Sequence, residues 1–153
     1  MNLVFFDIEC ASVHKTTAKI CAFGYVVCDE KFNIIKKEDI LINPKGGFHL
    51  TDRRGEKGLE LPYDYAEFKK HPPFPAVYSF IKELLEDKNN LVFGHAIMND
   101  VKYLDLETRR FHLPPFNFEF LDSQIMYMTH VGDFSRQFGL EYITENLNVV
   151  FTP

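Results

Sequence analysis

The sequence predicts an α/β fold in which a mixed β-sheet is flanked by helices. Three observations lead to this prediction: an apolar run at the N-terminus, two further strand patterns joined by a turn, and a later alternation of short strands with amphipathic helices. The chain has 153 residues, the length of one domain, and 46% hydrophobic residues, which is enough for a core. We therefore expect a single domain over residues 1–153.

The first third of the chain is predicted to form the antiparallel part of the sheet. Residues 3–10 are rich in Val, Ile and Phe, which predicts a strand that is buried on both faces near the centre of the sheet. A polar loop follows, and strands are predicted at 20–28 and 34–42 with a hairpin turn between them. The region 48–73 is predicted to be a loop with short helical pieces.

The remaining chain alternates strands and helices. Pro75 precedes a helix with one apolar side at 76–87, and Gly94 ends a short strand at 91–93. The further predicted elements are a helix at 98–110, a strand at 118–121, a helix capped by Asp122 or Ser123 that runs to about residue 129, and a last helix from Ser135 with Leu140, Ile143 and Leu147 inward.

Charge and composition argue against several classes of protein. The 17 basic and 22 acidic residues give a net charge of −5, which argues against a protein that coats duplex nucleic acid with a basic face. No stretch of about 18 apolar residues occurs, so no contact with a membrane is expected, and the N-terminus lacks the pattern of a signal peptide. The three cysteines form no CxxC pair, so we expect reduced, buried thiols and a cytoplasmic location.

Two carboxylates, Asp7 and Glu9, interrupt the first apolar run. Because side chains alternate along a strand, both point to the same face, roughly 6–7 Å apart. Neighbouring buried acids repel each other and lose hydration, and a divalent cation would relieve both effects because hard cations prefer carboxylate oxygen. The competing interpretation is a strand that ends at Asp7 and leaves both acids in solvent, but Ile8 and Cys10 continue the apolar pattern.

A third acid, Asp100, is predicted on the buried face of the helix at 98–110. Three apolar side chains with helical spacing mark that face: Ile97, Val101 and Leu104. The alternative interpretation is that Asp100 caps the start of the helix. If it instead meets the two acids of the first strand, the three carboxylates would hold one or two Mg²⁺ or Mn²⁺ ions, as metal-dependent nucleases do for phosphodiester hydrolysis.

The order of these acids and elements resembles the DEDD superfamily of 3′→5′ exonucleases, which includes the proofreading subunit of bacterial replicative polymerases and ribonuclease T. The D-x-E of its first motif is similar to Val-Phe-Phe-Asp-Ile-Glu at 4–9, and its H-N-x-x-F-D motif resembles Phe-Gly-His-Ala-Ile-Met-Asn-Asp at 93–100. Weaker similarities lie at 42–44, 121–123 and 139–143, so the resemblance covers essentially the whole chain.

The resemblance, to the DEDDh type in particular, implies an RNase H-like fold and two-metal hydrolysis at the 3′ end of single-stranded DNA or RNA. It implies that Asp7, Glu9 and Asp100 are catalytic residues and the ligands of two Mg²⁺ or Mn²⁺ ions. Asp7 would bridge both ions, Glu9 would hold the ion beside the attacking water, and Asp100 would bind the second ion largely through water. The sequence does not distinguish DNA from RNA, and it leaves the oligomeric state open.

The chain departs from the family pattern in two places. Ala96 and Asn99 stand where the second motif usually has Asn and Phe. The third motif, a His or Tyr followed by an Asp four or five residues later, would begin just after Pro153. We therefore expect residues 1–153 to lack the C-terminal helix, the general base and the fourth acidic ligand, and to be inactive or weak alone. The alternative function is a noncatalytic nucleic-acid-binding or interaction module on a degenerate exonuclease fold.

Other residues carry weaker expectations. His95 is predicted to be a hydrogen-bonded structural histidine, and Asp122 a helix N-cap and not a ligand. The candidates for contact with a substrate are Phe23 and Phe134, which could stack on bases, His14 after the first strand, and Arg53, Arg54 and Lys57 in the loop.

Overall fold

A computed structural model of the chain describes residues 1–50, 61 and 63–150, and this part forms a five-stranded mixed sheet flanked by helices. The strands are β1 Asn2–Val13, β2 Ala18–Cys28, β3 Ile34–Leu41, β4 Asn90–Gly94 and β5 Leu121–Asp122. The helices are α1 Tyr65–Phe68, α2 Phe74–Glu86, α3 Met98–Arg110, α4 Ser123–Val131 and α5 Leu140–Asn146. The predicted α/β class is confirmed.

β1 is the central strand, as predicted. The strand order is β3-β2-β1-β4-β5, with β1 antiparallel to β2, β2 antiparallel to β3, and β4 parallel to both β1 and β5. The pairing of β1 with β4 ends at Phe5 and Phe93, so β1 continues well beyond its parallel neighbour. The acids of β1 lie in this continuation.

The main core lies on one face of the sheet. Val4, Phe6 and Ile8 of β1 are buried there among side chains of α2 and α3, including Ile81 and Leu104. On the other face of β1, Phe5 and Glu9 are half-buried and Asp7 is exposed. Leu3 on this same face is buried, so the prediction that the strand is buried on both faces holds at Leu3 and is wrong at Asp7.

Three element boundaries differ from the predictions. β1 extends to Val13 through residues that were expected to be a polar loop. The strand predicted at 118–121 is reduced to β5, because the preceding residues run as extended chain whose phenylalanines pack against the core. The last helix begins at Leu140 and not at Ser135, because the N–H and hydroxyl of Ser135 donate to the Asp133 carboxylate in a turn.

Burial also differs from the prediction in α5, where Leu140 and Leu147 are 44% and 48% exposed and only Ile143 is buried. The three cysteines are buried and form no disulfide. Among the helices of the described residues, none combines the length and apolar character needed to cross a membrane.

Candidate active site

Asp7 and Glu9 lie on the same face of β1, as the alternation of strand side chains predicted. Asp7 is opposite Gly24 in β2, and Glu9 is opposite Ala22. Because both partners are small, they leave space above the strand, and a cavity of about 220 Å³ is lined by the two acids together with Asp39, Leu61, Tyr63 and Phe68. The strand does not end at Asp7, so the interpretation that it ends there with both acids in solvent is wrong, although Asp7 itself is exposed.

Asp100 lies beside these two acids. It is in the first turn of α3 and only 4% exposed, and its Oδ1 atom accepts a hydrogen bond from the backbone N–H of Ile8 at 3.0 Å. The N-cap residue of α3 is Ile97, whose side chain makes no capping hydrogen bond. The capping alternative for Asp100 is therefore wrong, and the carboxylate is instead bound to the peptide between Asp7 and Glu9.

Burial and mutual repulsion disfavour ionisation of these acids. Burial, followed by the negative charge of Asp7, raises the pKa of both Glu9 and Asp100 to about 7. Burial also raises the pKa of Asp7, although its side chain remains accessible, and the Ile8 N–H, a hydrogen bond with Glu9 and nearby His95 oppose that rise. Near neutral pH, a protonated Glu9 can donate to the Asp7 carboxylate.

The chemistry of this donor set fits hard divalent cations, which favour carboxylate oxygen and would replace the repulsion by attraction. Within residues 1–50, 61 and 63–150, however, no three His, Cys, Asp or Glu side chains are already arranged to hold one ion. The three acids are neighbours, and their side chains would have to turn towards one another to bind metal.

His95 is held at both ring nitrogens. Nδ1 lies 2.9 Å from the Ser123 hydroxyl, and Nε2 lies 2.7 Å from the backbone carbonyl of Phe138. Because a carbonyl oxygen only accepts, Nε2 carries a proton. This matches the structural role predicted for His95, which links the end of β4 to α4 and to the segment before α5.

Asp122 has two roles, of which the sequence indicated one. Its carboxylate accepts a hydrogen bond from the backbone N–H of Gln124 at 2.8 Å, which confirms the predicted N-cap of α4. The same carboxylate accepts from the N–H groups of Ala96 at 3.0 Å and Ile97 at 3.2 Å. Asp122 therefore also holds the turn that leads into α3, and through it the helix that carries Asp100.

Asp39 lies near the acids and was not singled out from the sequence. Asp39 is a residue of β3 and pairs with Gly24 of β2. Its carboxylate accepts a hydrogen bond from the Tyr63 hydroxyl at 3.0 Å, and its negative charge contributes to the raised pKa values of Asp7 and Glu9. The register between β2 and β3 decides this position, and no short sequence pattern indicates it.

The predicted substrate contacts have mixed outcomes. Phe23 is fully buried and packs on Phe6, so it is not available to a base. Phe134 is 64% exposed, and the His14 ring lies 6.4 Å from that of His49, so contacts through these residues remain predictions. The contacts predicted for Arg53, Arg54 and Lys57 lie outside the described residues.

Asp7 also lines a second, larger groove on the sheet. Its volume is about 780 Å³, and its apolar floor includes Phe5, stacked on Phe93 with ring centres 4.9 Å apart, and Val26. His95 and Asp7 also line this groove. A surface of this kind can receive a further apolar element or a planar ligand.

Comparison with known proteins agrees with this geometry. The exonuclease family model of the RNase T type matches residues 4–152. The nuclease domain of 3′hExo, described as a DEDDh family member and solved with bound rAMP, superposes with a TM-score of 0.78 at 16% identity, covering 99% of this chain and 81% of that one.

Two structures of exonuclease I are also similar. The complex with the inhibitor BCBP superposes with a TM-score of 0.74 at 15% sequence identity. The Escherichia coli enzyme with a dT13 oligonucleotide superposes with a TM-score of 0.65, also at 15% sequence identity. Each match covers 99% of this chain, but this chain spans only 37% of the length of the first exonuclease I chain and 36% of the second. A search of curated protein sequences gave no significant match. At these identities the likeness establishes the fold, and it agrees with the predicted RNase H-like sheet.

Proposed function

Because this chain belongs to the RNase T family of exonucleases, we propose that it is a metal-dependent 3′→5′ exonuclease acting on single-stranded DNA or RNA ends. The observation that supports this most strongly is the grouping of three acids around one peptide: Asp7 and Glu9 flank Ile8, and Asp100 accepts the hydrogen bond of its N–H. Carboxylates in this order along the chain are the ligands that the family resemblance implies.

In this proposal Asp7, Glu9 and Asp100 hold two Mg²⁺ or Mn²⁺ ions. Such ions, when bound, supply a water of lowered pKa and neutralise charge on the leaving oxygen. The protein contributes position: β1 fixes Asp7 and Glu9 on one face, and the Ile8 N–H holds one oxygen of Asp100. The raised pKa values of Glu9 and Asp100, both about 7, mean that protons compete with cations for these oxygens below neutral pH.

The general base and the fourth acidic ligand are proposed to come from a segment beyond residue 153. Both ring nitrogens of His95 are engaged, so this histidine is poorly suited to accept a proton from water. The groove beside Asp7 is where such a segment would pack, because its lining is largely apolar and aromatic and includes Asp7. The buried, unpaired cysteines are compatible with the proposed cytoplasmic location.

The test compares residues 1–153 with a protein extended through the following helix, on 5′-labelled single-stranded DNA and RNA. The extended protein should shorten the strand one nucleotide at a time and require Mg²⁺ or Mn²⁺, whereas residues 1–153 should be inactive or very weak. In the extended protein, Asp7→Ala should lose activity by a factor of about 10³ or more, because the proposed ligand of both ions is gone. Asp105→Ala is the matched control, since this acid of α3 is half-exposed and pairs with Arg109 on the same helix.

Two results would contradict the proposal. An extended protein that binds the oligonucleotide and leaves it intact would favour the noncatalytic binding module. Full activity of residues 1–153 would mean that the base lies within this chain, with His130 as a candidate in α4.

A further inference from the structure

Glu107 is a second buried acid on α3, and the proposed chemistry does not use it. Its side chain is 1% exposed. The Oε2 atom accepts a hydrogen bond from the backbone N–H of Ile20 at 3.2 Å, and Oε1 accepts one from Nη1 of Arg110 at 3.0 Å. Both oxygens are therefore satisfied inside the protein, one of them by the backbone of β2.

Arg110 extends this network to a third part of the chain. Its Nη2 atom donates to the carbonyl oxygens of Pro44 at 2.8 Å and Lys45 at 3.0 Å, in the segment that follows β3. The Glu107–Arg110 pair therefore joins α3 both to the start of β2 and to the loop after β3.

Stability alone is a poor explanation for such a pair. A buried ion pair loses hydration, and its replacement by apolar residues of similar volume is often neutral or stabilising. What distinguishes this pair is where Glu107 contacts the sheet. Cys10 pairs with Ile20 while Glu9 pairs with Ala22, so Cys21 is an extra residue on β2 and forms a bulge directly beside Glu9. Bulges change the direction of neighbouring side chains, and Glu107 binds the backbone at this bulge.

Two side chains of α3 thus bind the backbone of the β1–β2 pair on either side of Glu9. Asp100 accepts from Ile8, and Glu107 accepts from Ile20. They are seven residues apart on the helix, roughly 10 Å along its axis. A single attachment would allow the helix to pivot, whereas two attachments fix both its rotation and its position along the strands.

We propose that Glu107, supported by Arg110, is a positioning residue that fixes the bulge and α3 so that Glu9 and Asp100 stay together. The inference rests on the proposed function for the role of those two acids. Glu107 touches neither the substrate nor the ions, and it acts through the backbone of Ile20 and the helix it shares with Asp100.

The test uses the extended protein described above, with Glu107→Leu, Glu107→Gln and Arg110→Met. Calorimetry with Mn²⁺ should show about 10–100-fold weaker binding for Glu107→Leu, the effect typical of residues that support metal ligands. The drop in hydrolysis should appear in kcat, with little change in KM. Glu107→Gln should largely restore both values, because its amide oxygen can still accept from Ile20. Asp105→Leu, which removes a half-exposed acid of the same helix, should leave both unchanged.

Hydrogen exchange of the Ile8 amide gives a readout that does not depend on metal or activity. In Glu107→Leu this amide should exchange at least about 10-fold faster, while amides of the β1–β4 pairing keep their protection. Arg110→Met should change in the same direction, and it provides the comparison if Glu107→Leu does not fold.

The outcomes separate this inference from the proposed function. If the unaltered protein binds Mn²⁺ and Glu107→Leu matches it in affinity, kcat and Ile8 exchange, the positioning role is wrong. If the unaltered protein binds no Mn²⁺, the proposed function fails, and Ile8 exchange alone decides: faster exchange in Glu107→Leu supports the positioning role, and unchanged exchange overturns it.

Discussion

The Asp100 carboxylate accepts a 3.0 Å hydrogen bond from the backbone N–H of Ile8, the residue between Asp7 and Glu9. β1 continues past its last residue paired with β4, and Asp100 supplies an acceptor to the strand there. This hydrogen bond ties Asp100 of α3 to the backbone of β1, the strand that carries the other two acids. The repulsion among the three acids is therefore a consequence of the backbone geometry.

Divalent metal should bind this group through Asp7. We expect Mn²⁺ to bind the protein in calorimetry, and Asp7→Asn to weaken binding by a factor of at least about 10, since a central carboxylate ligand is replaced by a neutral amide. Asp39→Asn is the matched control, because Asp39 lines the same cavity and is not among the proposed ligands. Equal affinity of the unaltered protein and Asp7→Asn would exclude Asp7 as a ligand.

The free energy of unfolding, measured without metal, should fall as the pH rises from about 5 to 7.5. The pKa values of Glu9 and Asp100 are about 7 in the folded protein, above their ordinary values. The folded chain therefore binds more protons than the unfolded chain in this range, and raising the pH favours unfolding. Burial raises the pKa of Glu107 as well, which adds a contribution of the same sign.

Denaturant unfolding at the two pH values measures this dependence. Asp100→Asn should flatten it, while Asp105→Asn should preserve it. Excess Mn²⁺ at the higher pH should recover stability, because a ligand of the folded state shifts the equilibrium towards folding. Stability that increases over this range in metal-free buffer would refute the assignment.

Gly94→Ala should destabilise the protein by about 1–3 kcal/mol, the usual cost of overpacking. A Cβ atom at Gly94 would lie 2.7 Å from Cγ1 of Ile97, which is fully buried at the start of α3. Gly139→Ala is the control, because a Cβ atom there meets nothing within 4 Å. Urea unfolding of both variants measures the difference, and an equal effect would show that the packing against Ile97 is not limiting.

Ala96→Asn should stabilise the protein by roughly 0.5–1 kcal/mol. Ala96 has a φ of 49°, a left-handed conformation that costs most L-residues about 1–2 kcal/mol and that Asn adopts more readily. Asn is also the residue that the related exonuclease motif usually has here. Thermal and urea unfolding would measure the gain, and Ala76→Asn, in the regular helix α2, should show none. A destabilised Ala96→Asn would contradict this account.

The elements with regular apolar patterns could be predicted from the sequence. The helix predicted at 98–110 has the same bounds as α3, and the strands at 20–28 and 34–42 lie within about two residues of β2 and β3. β5 could not be predicted, because its two residues carry no periodicity and the phenylalanines before it pack without forming a strand. The late start of α5 depends on a local turn between Asp133 and Ser135.

The acidic residues of the site also divide into those that local sequence patterns indicate and those that they do not. Strand alternation placed Asp7 and Glu9 on one face, and helix phase placed Asp100 on the buried face of α3, but the meeting of the helix acid with the strand acids was only a hypothesis until the fold defined it. Asp39 depends on the register of β3, and Glu107 depends on a bulge that only the folded β1–β2 pair defines. Long-range register of this kind leaves no mark within a short stretch of sequence.

The central strand has one partner nearby in the chain and one far away, and this bears on the order of folding. β2 follows β1 after a short turn, whereas Asn2 pairs with Asn90. The hairpin that carries Asp7 and Glu9 is expected to form early, and the unit of β4 and α3 is expected to dock later, because closing a long loop costs more entropy. Asp7 and Glu9 would then be adjacent from an early stage, whereas Asp100 would join them only near the end of folding, so that its repulsion with the other two arises after most of the core has formed.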